Sequence, residues 1–162
     1  MCVHGRPLCG CFRYQVALTR FLKLTTPSSS SVLSPLILVL HGKHGNCIGP
    51  IASYDYHVLG GPHSCRGYSL GELGPARSYL ETCAELRMPV PVLRTQAFAF
   101  AENVRDLGNA FELQGAPREV YQRAGRGSSV GVGIKLGIMR LELARDCNAG
   151  KTTWFVNFGE RF

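Results

Sequence analysis

Apolar and polar residues alternate over most of the chain, and no segment sustains a helical period. The clearest alternation lies at residues 79–88, where Leu80, Thr82, Ala84, Leu86 and Met88 share a face opposite Tyr79, Glu81, Cys83, Glu85 and Arg87. A period of two residues is typical of a β-strand whose two faces meet different surroundings. Similar strand patterns lie at 12–19, 36–41, 95–103, 130–136, 139–144 and 152–162. The sequence therefore predicts an all-β fold of about seven strands.

The predicted connections differ at the two ends of the strands. Short turns are expected at 89–94, where Pro89 and Pro91 would end a strand, and around Gly137. Long loops are expected at 42–75 and 104–126, and a polar link at 27–31. Short turns at one end, long loops at the other and charges on one face are typical of a transmembrane β-barrel. A soluble sandwich alternates in the same way, so the pattern alone leaves both folds open.

The charge and the apolar runs narrow the range of partners. The formal net charge is +7, but the lysines and arginines are scattered, which disfavours a nucleic-acid surface. The longest apolar run, residues 36–40, is far shorter than the ~20 residues of a membrane helix. The first residues lack the apolar region of a secretory signal. A membrane location would therefore depend on strands.

The cysteines and histidines do not form a recognisable metal or disulfide pattern. Seven cysteines contain no paired Cys-x-x-Cys. His41, His44 and Cys47 are evenly spaced, and Cys9 and Cys11 lie close together, but neither set has a second ligand pair at zinc-site spacing. We therefore expect isolated thiols, no metal and no cofactor.

Two glycine-containing motifs resemble nucleotide-binding loops but lack essential features. The segment "NAGKTT" has Arg145 where a phosphate-binding loop requires its first glycine. The segment "GVGIKLG" lies within a predicted strand, where Gly131 and Gly133 would let a neighbouring element approach closely. Since no catalytic set of side chains is evident either, we expect the protein not to be an enzyme.

The glycine-rich segment 59–74 carries the most specific motif. A turn at Gly60-Gly61-Pro62 precedes Arg66-Gly67-Tyr68. This combination resembles the bacterial surface antigen superfamily of outer-membrane proteins, which includes barrel-assembly factors, two-partner secretion transporters and plastid import channels. The superfamily hallmark is an aliphatic-Arg-Gly-aromatic motif on the sixth loop of a sixteen-strand barrel. Here Cys65 stands where an aliphatic residue is usual.

Within that superfamily, the sequence is most similar to the chloroplast outer-envelope protein-import channels of the Toc translocon. The similarity is carried by "LVLHGKHGNCIGPIASYDYHVLGGP", "GSSVGVGIKLG" and "FVNFGERF", among other stretches. It covers residues 12–162 and leaves residues 1–11 as an unmatched tail. The resemblance implies a partial antiparallel transmembrane β-barrel, corresponding to about the tenth to the sixteenth strand, with a long loop folded inward.

The resemblance also assigns the candidate site residues. In the family the loop arginine meets an acid on the inner wall, and Glu102 stands in the place of that acid. The implied loop anchor therefore consists of Arg66, Gly67, Tyr68 and Glu102, with the turn at Gly60, Gly61 and Pro62. The closing segment resembles the strand signal that barrel-assembly machinery reads, and its residues are Trp154, Val156, Phe158 and Phe162.

The implied function is passive conduction of unfolded precursor proteins through the chloroplast outer envelope. The implied partners are membrane lipid, precursors, other translocon subunits or a full-length barrel, and no nucleic acid. About seven strands leave two open edges, which are costly in lipid. The alternatives are a truncated remnant that pairs with or regulates a complete barrel, a barrel-insertion factor, and a soluble sandwich without an import role.

Overall fold

The computed structural model describes residues 10–24, 36–51, 53–90, 95–108 and 125–162. One 3-10 turn, Ser53–Asp55, accompanies the strands in these ranges, and no helix within them is long and apolar enough to span a membrane. The strands are β1 Phe12–Leu24, β2 Leu36–Ile48, β3 His57–Leu59, β4 Gly74–Ala76, β5 Ser78–Val90, β6 Thr95–Asp106, β7 Arg126–Leu136, β8 Met139–Asp146 and β9 Thr152–Phe158.

Seven of these strands form a single sheet in the order β1-β2-β5-β6-β7-β8-β9. Every neighbouring pair is antiparallel. The short strands β3 and β4 pair with each other and form a hairpin within the long connection between β2 and β5. The predicted all-β, seven-stranded antiparallel sheet is confirmed, and the sheet is open. The described strands do not form the two stacked sheets of the sandwich alternative.

The sheet has its charged side covered and its apolar side exposed. On β5, Glu81, Glu85 and Arg87 are buried, whereas Leu80 and Leu86 are exposed. We call these two sides the inner face and the outer face. The outer face carries a row of exposed apolar residues on each of several strands, including Leu18, Leu40, Leu86, Met88, Val130, Val132, Ile134, Leu141, Leu143, Trp154, Val156 and Phe158. This arrangement reverses that of a water-soluble sheet and suits a lipid-facing exterior.

The second strand is longer than the sequence predicts. Residues 42–48, expected to begin the long loop, belong to β2. Gly42 pairs with Leu18 of β1 and Thr82 of β5, so both sides of the segment are hydrogen-bonded in the sheet. The glycines in this segment obscure the strand pattern. Gly45 is needed for space, since a β-carbon there would overlap the Tyr79 ring.

The strand that Pro89 and Pro91 are predicted to stop ends between these two prolines. β5 continues to Val90, and Pro89 pairs with Gln96 of β6. The pairing of β5 with β2 has already ended, at Arg87. Proline lacks an N–H group and is therefore tolerated where one ladder has stopped.

Some predicted features lie outside the described residues. They are residues 1–9 of the unmatched tail, the polar link at 27–31, the turn residues 91–94 and residues 109–124 of the second long loop. Described residues on either side show that β6 extends to Asp106 and that β7 starts at Arg126. The second long loop therefore connects the same end of the sheet as the first.

Candidate functional site

The loop between β2 and β5 turns sharply at the predicted glycines. Gly60 and Gly61 have φ angles of 95° and 106°, in the left-handed region that side chains disfavour. The turn is closed by the Gly61 N–H group, which donates to the Cys65 carbonyl at 3.2 Å. Leu73 N donates to the Leu59 carbonyl and ties the returning chain to β3. This geometry directs residues 65–68 onto the inner face.

Arg66 is fully buried against the wall of the sheet and contacts Glu102 on β6. Its backbone N–H donates to Glu102 Oε2 at 2.8 Å. Its Nε lies 3.0 Å from Glu102 Oε1, and its Nη2 lies 2.8 Å from the same oxygen. The two residues that the sequence analysis paired are therefore in direct contact. Because the guanidinium binds one carboxylate oxygen and the backbone N–H binds the other, the contact fixes the orientation of the arginine as well as its position.

Two further glutamates, which the sequence analysis did not assign, also surround Arg66. Arg66 Nη1 lies 3.3 Å from Glu85 and 3.2 Å from Glu142. Arg140 lies 3.0 Å from each of these two glutamates. Their only signal in the sequence is that charged residues recur on one face of consecutive strands. We call the connected set the inner ion-pair cluster, and it consists of Arg66, Glu85, Arg87, Glu102, Lys135, Arg140, Glu142, Glu160 and Arg161.

The chemistry of this cluster is suited to holding a loop. Burial acts to lower the pKa of Arg66, but the nearby carboxylates, Glu102 first and then Glu142, together outweigh it, so the pKa of Arg66 is raised and the guanidinium stays charged. A buried charge requires such partners, since one left alone costs several kcal/mol. In the described part of the chain, no group of three or more His, Cys, Asp or Glu side chains is placed to hold a metal ion.

The arginine rests on an aromatic ring that itself occupies the space above a glycine. Phe100 on β6 is paired with Gly131 on β7. A β-carbon at Gly131 would overlap the Phe100 ring, so the glycine lets the ring lie flat on the wall. The Arg66 guanidinium lies 3.3 Å from the centre of that ring. Such a cation–π contact is worth about 2 kcal/mol when desolvated.

The same arrangement of arginine, aromatic ring and glycine recurs two residues along the strands. Phe98 is paired with Gly133, whose β-carbon would overlap the Phe98 ring. Arg140 lies 4.2 Å from the centre of that ring. The structure therefore confirms the prediction that the glycines of "GVGIKLG" allow close approach.

Replacing Gly131 with alanine is expected to destabilise the protein by about 1–3 kcal/mol, because the new methyl group would overlap both the Phe100 ring beneath Arg66 and the Leu143 carbonyl of β8. Urea unfolding of the reconstituted protein would measure this loss. The control is Gly42→Ala on β2, where an added β-carbon meets no atom within 4 Å. Equal losses in the two variants would refute the steric explanation.

Gly67 and Tyr68 complete the contact between the loop and the wall. Gly67 has a φ of 98°, and a β-carbon there would lie 3.1 Å from the Asp146 nitrogen on β8. Tyr68 is buried, and its hydroxyl donates to the Asp146 carboxylate and accepts a bond from Ser128 N at 3.2 Å. Burial, followed by the Asp146 bond, raises the pKa of Tyr68. Both residues therefore bring the loop against β7 and β8.

The structure explains why a cysteine can precede the arginine. Cys65 is fully buried, where it packs as an apolar residue in a cluster with Leu59, Tyr68, Leu73 and Val104. Its Sγ lies 3.5 Å from Ser129 Oγ. Burial raises the pKa of the Cys65 thiol to about 12, so the thiol is protonated and unreactive at neutral pH while the loop is docked.

Two aliphatic side chains of the loop are exposed. On β3, His57 and Leu59 are buried, whereas Val58 between them is 57% exposed. Leu70 is 81% exposed. The loop therefore turns its arginine and tyrosine toward the wall and these aliphatic side chains away from it.

The residues of the predicted strand signal do not all share one face. Trp154, Val156 and Phe158 are exposed on the outer face of β9. Phe162 does not join them, because β9 ends at Phe158 and the following residues turn toward the inner face. There the Phe162 ring stacks on His41 of β2, with ring centres 4.3 Å apart. The strand pattern predicted at 152–162 is therefore found only over residues 152–158, and Phe162 lies beyond the strand.

A scan against protein families matches residues 10–160 to the Omp85 superfamily domain. The chain belongs to the Omp85 superfamily. The match includes every described strand.

Curated Omp85-related proteins of plants are similar to most of this chain. Protein TOC75, chloroplastic, of pea (Pisum sativum) is 48% identical over 151 residues, which are 93% of this chain and 18% of the pea protein. Protein TOC75-4, chloroplastic, of Arabidopsis thaliana is 46% identical over 93% of this chain and 38% of its own length. Outer envelope protein 80, chloroplastic, of the same plant is 33% identical over 66% of this chain. The chain thus spans less than two fifths of the TOC75 proteins that it matches here.

Proposed function

We propose that this chain forms the loop-bearing wall of a protein-conducting β-barrel in the chloroplast outer envelope. The similarity to chloroplast TOC75 and outer envelope proteins supports the location. The observation that carries the proposal is the reversed sheet, with apolar residues outside and the Arg66 loop docked on a charged inner wall. Residues 12–162 are the barrel portion, and residues 1–11 are a separate tail.

In this role the chain acts without bond chemistry. The outer face contacts lipid, and the inner face borders the path of an unfolded precursor protein. The anchor residues Arg66, Gly67, Tyr68 and Glu102 hold the loop against the wall, so that the loop braces the passage or restricts it. Trp154, Val156 and Phe158 offer an apolar row on an open edge that assembly machinery can read.

Strand direction limits what can close this sheet. Six successive antiparallel pairings separate β1 from β9, so the two edge strands run in the same direction. Two copies inserted in the same orientation would meet only through parallel seams. A complementary sheet that pairs antiparallel with both edges must contain an odd number of up-and-down strands. The missing wall therefore comes from a different sheet, supplied by other import-translocon subunits or a barrel homologue.

We expect the chain alone to give no discrete conductance in planar bilayers. Added to pea TOC75 from which the matching segment has been deleted, the chain is expected to restore discrete openings. The control is the deleted TOC75 alone. Stable pores from this chain by itself would contradict the requirement for a different sheet. Absence of discrete openings from the mixture would contradict the wall proposal.

The open edges also favour a second candidate function, in which the chain pairs with a complete barrel and regulates it. Each edge strand of the sheet has a neighbour on one side only. Such edges bind other strands by main-chain hydrogen bonds. In this case the chain would co-purify with intact pea TOC75 and change its conductance. It would not restore discrete openings to the TOC75 that lacks the matching segment.

A further inference from the structure

The chain leaves the sheet immediately after β9. A main-chain hydrogen bond from Gly159 N to the Ile138 carbonyl, at 2.7 Å, is the last contact of this strand end with the β7–β8 turn. Gly159 has a φ of 91°, and a β-carbon there would meet no atom within 4 Å. The glycine is therefore required for its backbone conformation, and it directs residues 160–162 onto the inner face.

Residues 160–162 cross several strands of that face in order. Glu160 pairs with Lys135 of β7, and its Oε2 lies 3.7 Å from Arg87 of β5 and 3.9 Å from Arg140 of β8. Phe162 stacks on His41 of β2, whose ring nitrogen lies 2.8 Å from Thr19 Oγ1 of β1. The segment thus begins at one edge strand and ends beside the strand next to the other.

Arg161 connects this segment to both the wall and the loop. Its Nη2 lies 2.9 Å from Glu102 Oε1. The same nitrogen donates to the Ser64 carbonyl of the loop at 2.8 Å. Glu102 Oε1 is also the oxygen that Arg66 contacts, so one carboxylate joins two arginines that are far apart in the sequence. The Arg161 side chain is only 11% exposed, which limits screening of these contacts by water.

The segment and the loop turn also enclose space between them. A cavity of about 80 Å³ is lined by Pro62 and His63 of the loop, and by residues 157–161, Arg140 and Glu142. The loop turn therefore lies beside residues 159–161 on the inner face.

We propose that residues 159–162 form a clamp that keeps the loop docked, with Arg161 as the positioning residue. This inference rests on the proposed role of the docked loop and adds a second contact that holds the loop in place. Arg66 fixes the loop through Glu102, and Arg161, held by the same carboxylate, fixes it through the Ser64 carbonyl. Undocking of the loop then requires the clamp to release both Glu102 and the loop backbone.

The buried Cys65 thiol provides a test on the full chain in lipid vesicles. Alkylation by a maleimide, followed by mass spectrometry of the Cys65 peptide, measures how often the loop opens. We expect Arg161→Gln to increase the alkylation rate about tenfold, as expected for loss of one charge-assisted hydrogen bond. Arg161→Lys, which keeps the charge, is expected to restore part of the protection.

Two comparisons separate the clamp from general destabilisation. Arg145→Gln removes an exposed arginine from β8 and is expected to leave the rate unchanged. Adding Arg161→Gln to Glu102→Gln is expected to increase the rate less than Arg161→Gln does alone, because the two residues share one contact. Far-UV circular dichroism during urea unfolding is expected to give Arg161→Gln and Arg145→Gln the same global midpoint.

The outcomes distinguish failure of the clamp from failure of the loop proposal. If Glu102→Gln exposes Cys65 but Arg161→Gln does not, the clamp is refuted and the docked loop stands. If neither substitution exposes Cys65, the role of the Arg66–Glu102 contact in docking is refuted as well. A lower global midpoint for Arg161→Gln alone would also overturn the clamp, since the thiol would then report unfolding of the sheet.

Discussion

Glutamine in place of Glu102 will undock the loop, at a cost of about 3–5 kcal/mol, the range for breaking one side of a buried ion pair. The Glu102 carboxylate contacts the Arg66 backbone and guanidinium, Arg161 and Ser129. A glutamine amide offers one acceptor oxygen and points an NH₂ group at other donors. Alkylation of Cys65 in vesicles is expected to accelerate about a hundredfold or more, since each 1.4 kcal/mol corresponds to a factor of ten.

Glu160→Gln provides a graded comparison for this result. Glu160 belongs to the same inner ion-pair cluster and to the proposed clamp, but its side chain is 48% exposed. An exposed ion pair contributes about 0–1 kcal/mol, so the same chemical change is expected to have a small effect there. Equal acceleration in the two variants would show that burial of Glu102 is not what holds the loop.

A charge placed on the outer face, halfway along a strand, is expected to destabilise the protein nearly as much as Glu102→Gln does. Leu18 lies at the middle of β1 and is 74% exposed. If this face contacts lipid, Leu18→Arg will destabilise the protein by about 2–4 kcal/mol, the cost of arginine at the midplane of a membrane barrel. Urea unfolding in lipid vesicles measures the loss. In a water-exposed sheet the same substitution would change stability by no more than about 0.5 kcal/mol.

The neighbouring residue offers a control on the same strand. Ala17 is also exposed but lies on the inner face, between Gln15, which bonds His57 of the loop, and Thr19. Ala17→Arg is expected to be tolerated, because this face borders water. Tolerance of arginine at both positions would remove the case for a lipid-facing surface, and alkaline carbonate would then release the protein from envelope membranes.

The faces of the strands could be predicted from the sequence because a strand has a strict period of two. The alternation at residues 79–88 assigns Glu85 to one side and Leu86 to the other without knowledge of any partner strand. The pairing of Arg66 with Glu102 required the family resemblance, since 36 residues separate them and no local pattern connects them. The resemblance supplied a contact that periodicity alone does not encode.

The remaining contacts depend on register and on backbone turns. Glu85, Arg140 and Glu142 meet beneath Arg66 only because β5, β6, β7 and β8 are aligned at that height. A shift of one residue would move these side chains to the opposite face. The course of residues 160–162 depends on a single glycine conformation, which alternation does not reveal. The continuation of β2 through Gly42 and Gly45 was missed because glycine lacks a polarity signal.

The exposed aliphatic side chains of the loop have a consequence for a polypeptide that moves along the wall. Val58 and Leu70 present methyl groups, whereas Arg66 and Tyr68 are already satisfied by the sheet. A polypeptide sliding past would find no fixed donor, acceptor or charge on these two side chains. In the proposed channel, its dwell time at these two side chains would be short and nearly independent of its sequence.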